Sequence, residues 1–150
     1  MTAAFLSVFL TYDRAEYLRN MVSTQRFVAG AVFLLALDAL WIRLNYAAYK
    51  RGTEAVQGMP MKVKITPAVL SYGLLLITLW GILSYVEETR QSHSRAYYAT
   101  VAFAIGVVIY GVYNTTNAAL LTNYNTLLAV QDTIWGGVLL ATTTTVALAL

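Results

Sequence analysis

The sequence has no cysteine, a single histidine and few charged residues. The absence of cysteine excludes disulfides, thiol nucleophiles and cysteine-based metal sites, and the lone His93 among scattered acids makes no metal site either. Only 11% of the 150 residues are charged, whereas 59% are hydrophobic. Soluble domains carry about a quarter charged residues, because charge keeps their surface hydrated. The composition therefore predicts an integral membrane protein whose solvent is the lipid bilayer.

Charge is absent from three long stretches, at 65–86, 96–131 and 133–150. A helix needs about 20 apolar residues to cross about 30 Å of hydrocarbon, and each stretch is long enough. We predict four spanning helices, at 27–47, 66–86, 97–120 and 126–148. The predicted fold class is an all-α, multi-pass membrane four-helix bundle with both termini on one side. Lysine and arginine counts of five on that side and four on the other leave its orientation open.

The chain is expected to divide into an N-terminal segment, 1–26, and a four-helix domain, 27–150. The segment places Phe5, Phe9, Tyr12 and Glu16 at helical spacing, with other charged residues on its remaining faces. It is too short to span a bilayer, but amphipathic enough to lie in the interface or to dock on a partner. A loosely held tail is the alternative interpretation.

Polar residues within the predicted spans fall at one depth, in the half of the bilayer nearest the 50–64 loop. Alternate helices run in opposite directions and each residue advances about 1.5 Å, so all four helices contribute to this layer. The candidate site residues are Asp38, Trp41, Arg43, Tyr72, Tyr113, Asn114, Asn117, Gln131, Asp132 and Trp135. Intervals of three and four residues within several of these sets point toward a common interior.

The two acids of this layer allow either a functional or a structural interpretation of the layer. A carboxylate at the bilayer centre costs about 2.5 to 3.5 kcal/mol on insertion scales, so Asp38 and Asp132 should be protonated, paired or hydrated. Arg43 lies at a depth from which it can either pair with Asp132 or snorkel to the interface. The layer fits a pathway for protons or small polar solutes. It also fits interhelical hydrogen bonds of roughly 0.6 to 2 kcal/mol each, the interpretation that we favour.

Several other functions find no support in the residues. The net charge of +3 forms no basic stripe interleaved with aromatics, which argues against nucleic-acid binding. There is no phosphate-binding loop, nucleophile elbow or paired-carboxylate hydrolase pattern, so we expect neither an enzyme nor a cofactor. Small residues at Ala102, Gly106, Gly136 and Gly137 indicate close helix approach.

Three segments, taken in order, resemble a family of small uncharacterised four-span membrane proteins, classed as a domain of unknown function and found in bacteria and some large DNA viruses. They are Asp-Ala-Leu-Trp at 38–41, Tyr-Gly-Val-Tyr-Asn-Thr-Thr-Asn at 110–117 and Asp-Thr-Ile-Trp-Gly at 132–136. The resemblance covers 28–150 and implies the four-span fold without an activity. The family usually has an acid where this chain has Asn114, which weakens any argument for a proton path through the third helix.

These observations favour a non-enzymatic structural or interaction component of a larger membrane assembly, such as a virion membrane or a membrane complex. Its expected partners are the lipid bilayer and either other subunits or further copies of the chain. The alternative is a small transporter or channel subunit that uses Asp38 and Asp132. An intramembrane enzyme comes third, because no nucleophile and base pair is evident.

Overall fold

The computed structural model describes the backbone of residues 3–150 and the side chains of residues 23–150. That part of the chain forms four helices and no strand: α1 Ala3–Gln57, α2 Ile65–Thr89, α3 Arg95–Leu120 and α4 Thr126–Ala149. The predicted all-α class is confirmed. The connections are short, as is typical of antiparallel neighbours in a bundle.

The helix ends follow from local chemistry at each connection. Gly58, at φ 68°, stops α1, and its amide donates to the Glu54 carbonyl at 2.9 Å. The Ser94 side chain caps α3 by accepting from the Tyr97 amide at 3.2 Å. The Asn125 side chain caps α4 by accepting from the Leu128 amide at 3.1 Å. These residues mark where the chain leaves α1 and where it enters α3 and α4.

The length of α1 distinguishes it from the other helices. Its 55 residues extend about 82 Å, far more than the thickness of a bilayer core. Its backbone is helical through the predicted domain boundary between 26 and 27 without a break. The predicted amphipathic contacts of Phe5, Phe9 and Tyr12 lie outside the residues whose side chains are described.

Three helical segments among the described residues are long and apolar enough to cross a membrane: Ser23–Gln57, Ile65–Thr89 and Arg95–Leu120. The fourth predicted span, on α4, is not among them, because Gln131, Asp132 and four consecutive threonines at 142–145 lower its hydropathy. Yet α4 buries nine residues and contacts each of the other three helices. A helix packed against protein on one side needs less apolar surface than one that faces lipid all round, and the span on α4 stays a prediction.

Close packing holds α3 against α4 at the middle of the bundle. A Cβ added to Gly106 would overlap the carbonyl of Gly136 and lie 2.8 Å from the amide nitrogen of Gly137. A Cβ on Gly137 would lie 2.8 Å from the Phe103 ring. The predicted close approach is confirmed, and it brings dispersion contacts that helices in lipid need for association.

An apolar layer fills the bundle beside this contact. Leu34, Leu79, Leu139 and Leu140 are each 0% exposed, and they come from α1, α2 and α4. Gly30 allows this approach, because its Cβ position lies 3.3 Å from the Leu79 side chain and 3.4 Å from Ala147. The layer separates a polar network at one end of the bundle from an ion pair at the other.

Candidate functional site

The carboxylate of Asp38 joins three helices. Asp38 lies on α1 and is 5% exposed. Its Oδ2 accepts from the Tyr72 hydroxyl on α2 at 3.0 Å, and its Oδ1 accepts from the Trp135 indole on α4 at 3.0 Å. Each oxygen therefore has one donor from a different helix, which satisfies a group that would otherwise be costly to bury.

The carboxylate of Asp132 makes a second junction. Asp132 lies on α4. Its carboxylate accepts one hydrogen bond from the Tyr49 hydroxyl on α1, at 2.5 Å, and one from the Asn114 amide on α3, at 3.0 Å. The Asn114 amide also donates to the Tyr110 carbonyl at 3.0 Å, which fixes its orientation on its own helix. Together the two acids connect all four helices.

Two tryptophans link these junctions into one polar network. Trp41 and Trp135 are stacked, with ring centroids 4.4 Å apart and planes inclined by 6°. Trp135 donates to Asp38, while the Trp41 indole donates to the Tyr49 hydroxyl at 2.9 Å. Tyr49 in turn donates to Asp132. The indoles thus add both apolar packing and directed hydrogen bonds to a single cluster.

The α3–α4 loop closes the network through Tyr124. Its hydroxyl donates to the Asn114 Oδ1 at 2.7 Å, and it lies beside Asn117. Burial, with smaller contributions from its neighbours, raises the pKa of the Tyr124 phenol. The phenol is therefore a neutral hydrogen-bond donor at physiological pH.

Neutral donors, rather than cations, serve both Asp38 and Asp132. Arg43 is exposed, and the possible pair between Arg43 and Asp132 is absent from the residues whose side chains are described. Over the same residues, the ion pair found is Arg26 with Glu87. The snorkelling alternative is the one consistent with an exposed Arg43 near the end of its span.

A cavity of about 230 Å³ opens beside Asp132, at the end of the bundle that carries the α3–α4 loop. Asp132, Asn114 and Tyr49 lie at its network side. Asn117 and Tyr124 also line it, together with the last turns of α1. Asp132 follows the start of α4 by six residues, or about 9 Å along the helix axis, so the cavity lies near one end of the bundle.

The predicted site residues divide into three groups. Those within the polar network are Asp38, Trp41, Tyr72, Asn114, Asp132 and Trp135. Asn117 is half-buried in the cavity wall, and Tyr113 also lines the cavity but is 63% exposed. Gln131 and Arg43 are exposed and lie outside the network. The exposure of Arg43 agrees with the snorkelling alternative, whereas Gln131 departs from the shared interior expected of the layer. Gln131 adjoins Asp132 in sequence, and adjacent helical residues point about 100° apart.

Sequence reasoning missed four residues: Arg26, Tyr49, Glu87 and Tyr124. Tyr49 could have been found, because it follows Asp38 by eleven residues, about three helical turns, and so shares its face. Arg26, only 4% exposed, was assigned to the segment before the first span. Its pairing with Glu87 follows from the antiparallel arrangement of α1 and α2, which places both at one end. Tyr124 depends on the path of a loop, which side-chain spacing does not reveal.

Comparison with known protein families addresses both the fold of the chain and its location in a membrane. A family model described as "predicted membrane protein (DUF2177)" matches residues 23–149. The chain belongs to this family. It is a multi-pass membrane protein of a family without known function, as the resemblance implied, and residues 1–22 lie outside the match. Neither the curated proteins nor the solved structures compared with the chain gave a significant match.

Proposed function

We propose that this DUF2177 protein is a non-enzymatic structural or interaction component of a membrane assembly. The observation that carries the proposal is the engagement of both intramembrane acids. Asp38 and Asp132 each accept two hydrogen bonds from neutral side chains on two other helices. This is the arrangement expected of groups that hold helices in one register. Because nothing points to a virion, the proposal extends to a membrane assembly in general.

The apolar layer supports a structural role over a conducting one. Leu34, Leu79 and Leu139 are fully buried between the polar network and the Arg26–Glu87 end of the bundle. A path for ions or protons needs polar groups or water along its whole length. The network therefore resembles a local junction that ends at the middle of the bundle.

The extra length of α1 supports the interaction role. The other helices have 24 to 26 residues, whereas α1 has 55. Residues 3–22 extend this helix beyond the part that matches the family. An amphipathic sequence in this extension suits docking on another protein at the membrane surface.

Native electrophoresis of membranes solubilised in a mild detergent tests the interaction role. We expect the full chain to migrate in a complex larger than the monomer, and a chain starting at Ser23 to migrate as the smaller bundle. Thermal unfolding followed by circular dichroism serves as the control, because both chains should show a cooperative transition. Migration of the full chain as a monomer would contradict the assembly.

A transporter or channel subunit is the second candidate, and the cavity beside Asp132 is the observation that favours it. Proteoliposomes containing a pH-sensitive dye test for proton flux. We expect the wild type to give no flux above that of empty liposomes. A reproducible flux that is lost in Asp38→Asn or Asp132→Asn would reject the structural proposal and support transport, because an amide cannot exchange a proton at neutral pH.

A further inference from the structure

The two intramembrane carboxylates differ in their access to solutes. Asp38 is sealed, with 5% of its surface exposed, and it lies outside the cavity lining. Asp132 is only partly buried and lines the 230 Å³ cavity. One acid of the network can therefore meet a molecule that enters from the end of the bundle bearing the α3–α4 loop.

The hydrogen bonds of Asp132 leave capacity for a ligand. A carboxylate has about four lone-pair positions, two on each oxygen. Tyr49 occupies one position on Oδ1, and Asn114 occupies one on Oδ2. One position on each oxygen thus remains for donors, and the two protein donors hold the carboxylate in place for them.

The cavity lining favours a positive charge. Among its described lining residues Asp132 is the one ionisable acid, and there is no lysine, arginine or histidine. Tyr49, Tyr113 and Tyr124 add aromatic rings, whose faces attract cations. Asn117 and Asn125 supply side-chain carbonyl groups that can accept from a ligand N–H. The negative charge, the aromatic rings and the hydrogen-bond acceptors of the lining all favour a cationic ligand that donates hydrogen bonds.

The cavity, of about 230 Å³, has room for a small organic ion beside the carboxylate. Val56, Leu121 and Leu128 form an apolar part of the lining, which suits a short methylene chain next to the charged group. A bare metal ion would leave this apolar wall without a contact.

We propose that the cavity beside Asp132 binds a small alkylammonium ion, with its N–H groups on the two free positions of the carboxylate. The site is additional to the structural role and does not depend on it. Such an ammonium group can belong to a soluble amine or to the headgroup of an ethanolamine lipid, and both present the same chemistry to Asp132.

Calorimetric titration of the full chain in phosphatidylcholine nanodiscs tests the site, with ethanolamine hydrochloride as the probe. Ethylene glycol is a neutral molecule with the same number of heavy atoms, and glycolate provides a negative charge. We expect saturable binding of ethanolamine and none of the other two. Equal binding of ethylene glycol, or no ethanolamine binding at millimolar concentration, would overturn the proposal.

Two variants separate the charge of the site from its shape. Asp132→Asn removes the charge, and Gly52→Leu places a side chain in the cavity while favouring the helix. Each should weaken ethanolamine binding at least about tenfold, which corresponds to about 1.4 kcal/mol. A Cβ at Gly52 would make ordinary contacts with its nearest neighbours at 3.8 Å, so we expect the second variant to fold, and circular dichroism checks the fold of both variants. Undiminished binding in a folded Gly52→Leu protein would contradict the cavity as the site.

Glu54→Gln is the matched control for charge. Glu54 lies on the same helix turn as the cavity, yet its carboxylate accepts from the Met61 amide and it does not line the cavity. Its replacement should change ethanolamine affinity by less than about twofold. A loss as large as that of Asp132→Asn would indicate nonspecific attraction and contradict the site.

Nanodiscs that also contain phosphatidylethanolamine distinguish the two sources of the ligand. If the lipid headgroup occupies the cavity, the apparent affinity for free ethanolamine should fall as the fraction of this lipid rises, and this competition should vanish in Asp132→Asn. If the natural ligand is a soluble amine, the affinity should stay constant. Either result supports an alkylammonium site and assigns its source.

Discussion

The two halves of the bundle are stabilised in different ways. The half toward the α3–α4 loop contains the polar network, in which Asp38 and Asp132 receive hydrogen bonds from neighbouring helices. From the middle to the opposite end, the helices meet through glycines, alanines, fully buried leucines and the buried Thr143 and Thr144, together with the Arg26–Glu87 pair. Hydrogen bonds are directional and set which residues face each other, whereas small residues set how near the backbones come.

This comparison explains why the helices share one arrangement despite having no hydrophobic force between them in lipid. Close packing at Gly106 and Gly136 sets how near the α3 and α4 backbones come. The two carboxylates add a directional constraint, because their four donors lie at fixed positions, one on each of the four helices. The predictions below test the two halves separately.

The largest loss of stability should follow a substitution in the half without the polar network, which we call the packed half. Gly106→Ala places a methyl group against the Gly136 carbonyl, so the α3 and α4 backbones must separate. We expect a loss of about 3 kcal/mol in the free energy of unfolding, the upper end of the usual cost of overpacking. Unfolding in mixed micelles with increasing SDS measures it.

Gly81→Ala is the control for this substitution, because no atom lies within 4 Å of its Cβ position. It should leave the free energy unchanged or raise it slightly, since alanine favours helix over glycine. Equal losses in the two variants would show that the contact between α3 and α4 does not limit the stability of the packed half.

The second largest loss of stability should follow removal of the ion pair at the end of the packed half. Glu87→Gln removes the charge that faces Arg26, whose side chain is almost fully buried. Removal of one partner of a buried pair costs about 3 to 5 kcal/mol, and the partial exposure of Glu87 reduces our expectation to about 2 kcal/mol.

The same SDS titration can be run on Glu88→Gln, a neighbouring acid that is exposed. This control should change the free energy of unfolding by less than about 0.5 kcal/mol, as is usual at surface positions. If the two glutamine variants behaved alike, the pair would contribute nothing beyond a surface charge.

A smaller effect is expected when the polar network loses one donor. Tyr72→Phe removes the hydroxyl that donates to Asp38 and retains the ring. We expect a loss of about 1 kcal/mol, typical of one hydrogen bond between membrane helices. Tyr46→Phe, at an exposed tyrosine of α1, should change little in the same titration. A loss with Tyr46→Phe that matched the loss with Tyr72→Phe would remove the evidence for that bond.

Most of the fold and part of the polar network could be predicted from the sequence. Long uncharged stretches defined the helices, because the bilayer leaves few alternatives to an apolar helix. Depth and helical spacing predict that Asp38, Asn114 and Asp132 lie in one cluster. The same reasoning predicts a span on α4, but this helix is not among the candidate spans of the described residues, so its span stays a prediction.

The remaining features depend on rotation and loop path, which spacing within a single helix does not fix. Gln131 had the right depth but lies on the outer face of α4, one position away from Asp132. The cavity depends on how the last turns of α1 meet the loop that carries Tyr124. Such gaps between helices follow from tertiary packing, so no pattern in the sequence indicated them.

The central claim is that Asp38 serves as a hydrogen-bond junction whose charge is dispensable, and the unfolding of two variants tests it most directly. In Asp38→Asn, the amide oxygen can accept from Trp135, and the amide nitrogen can donate to the Tyr72 hydroxyl. We expect Asp38→Asn to lose less than about 0.5 kcal/mol in the SDS titration. Asp38→Ala should lose about 1 to 3 kcal/mol, because it leaves two buried donors without a partner. Equal losses in the two variants, or no loss in Asp38→Ala, would contradict the account.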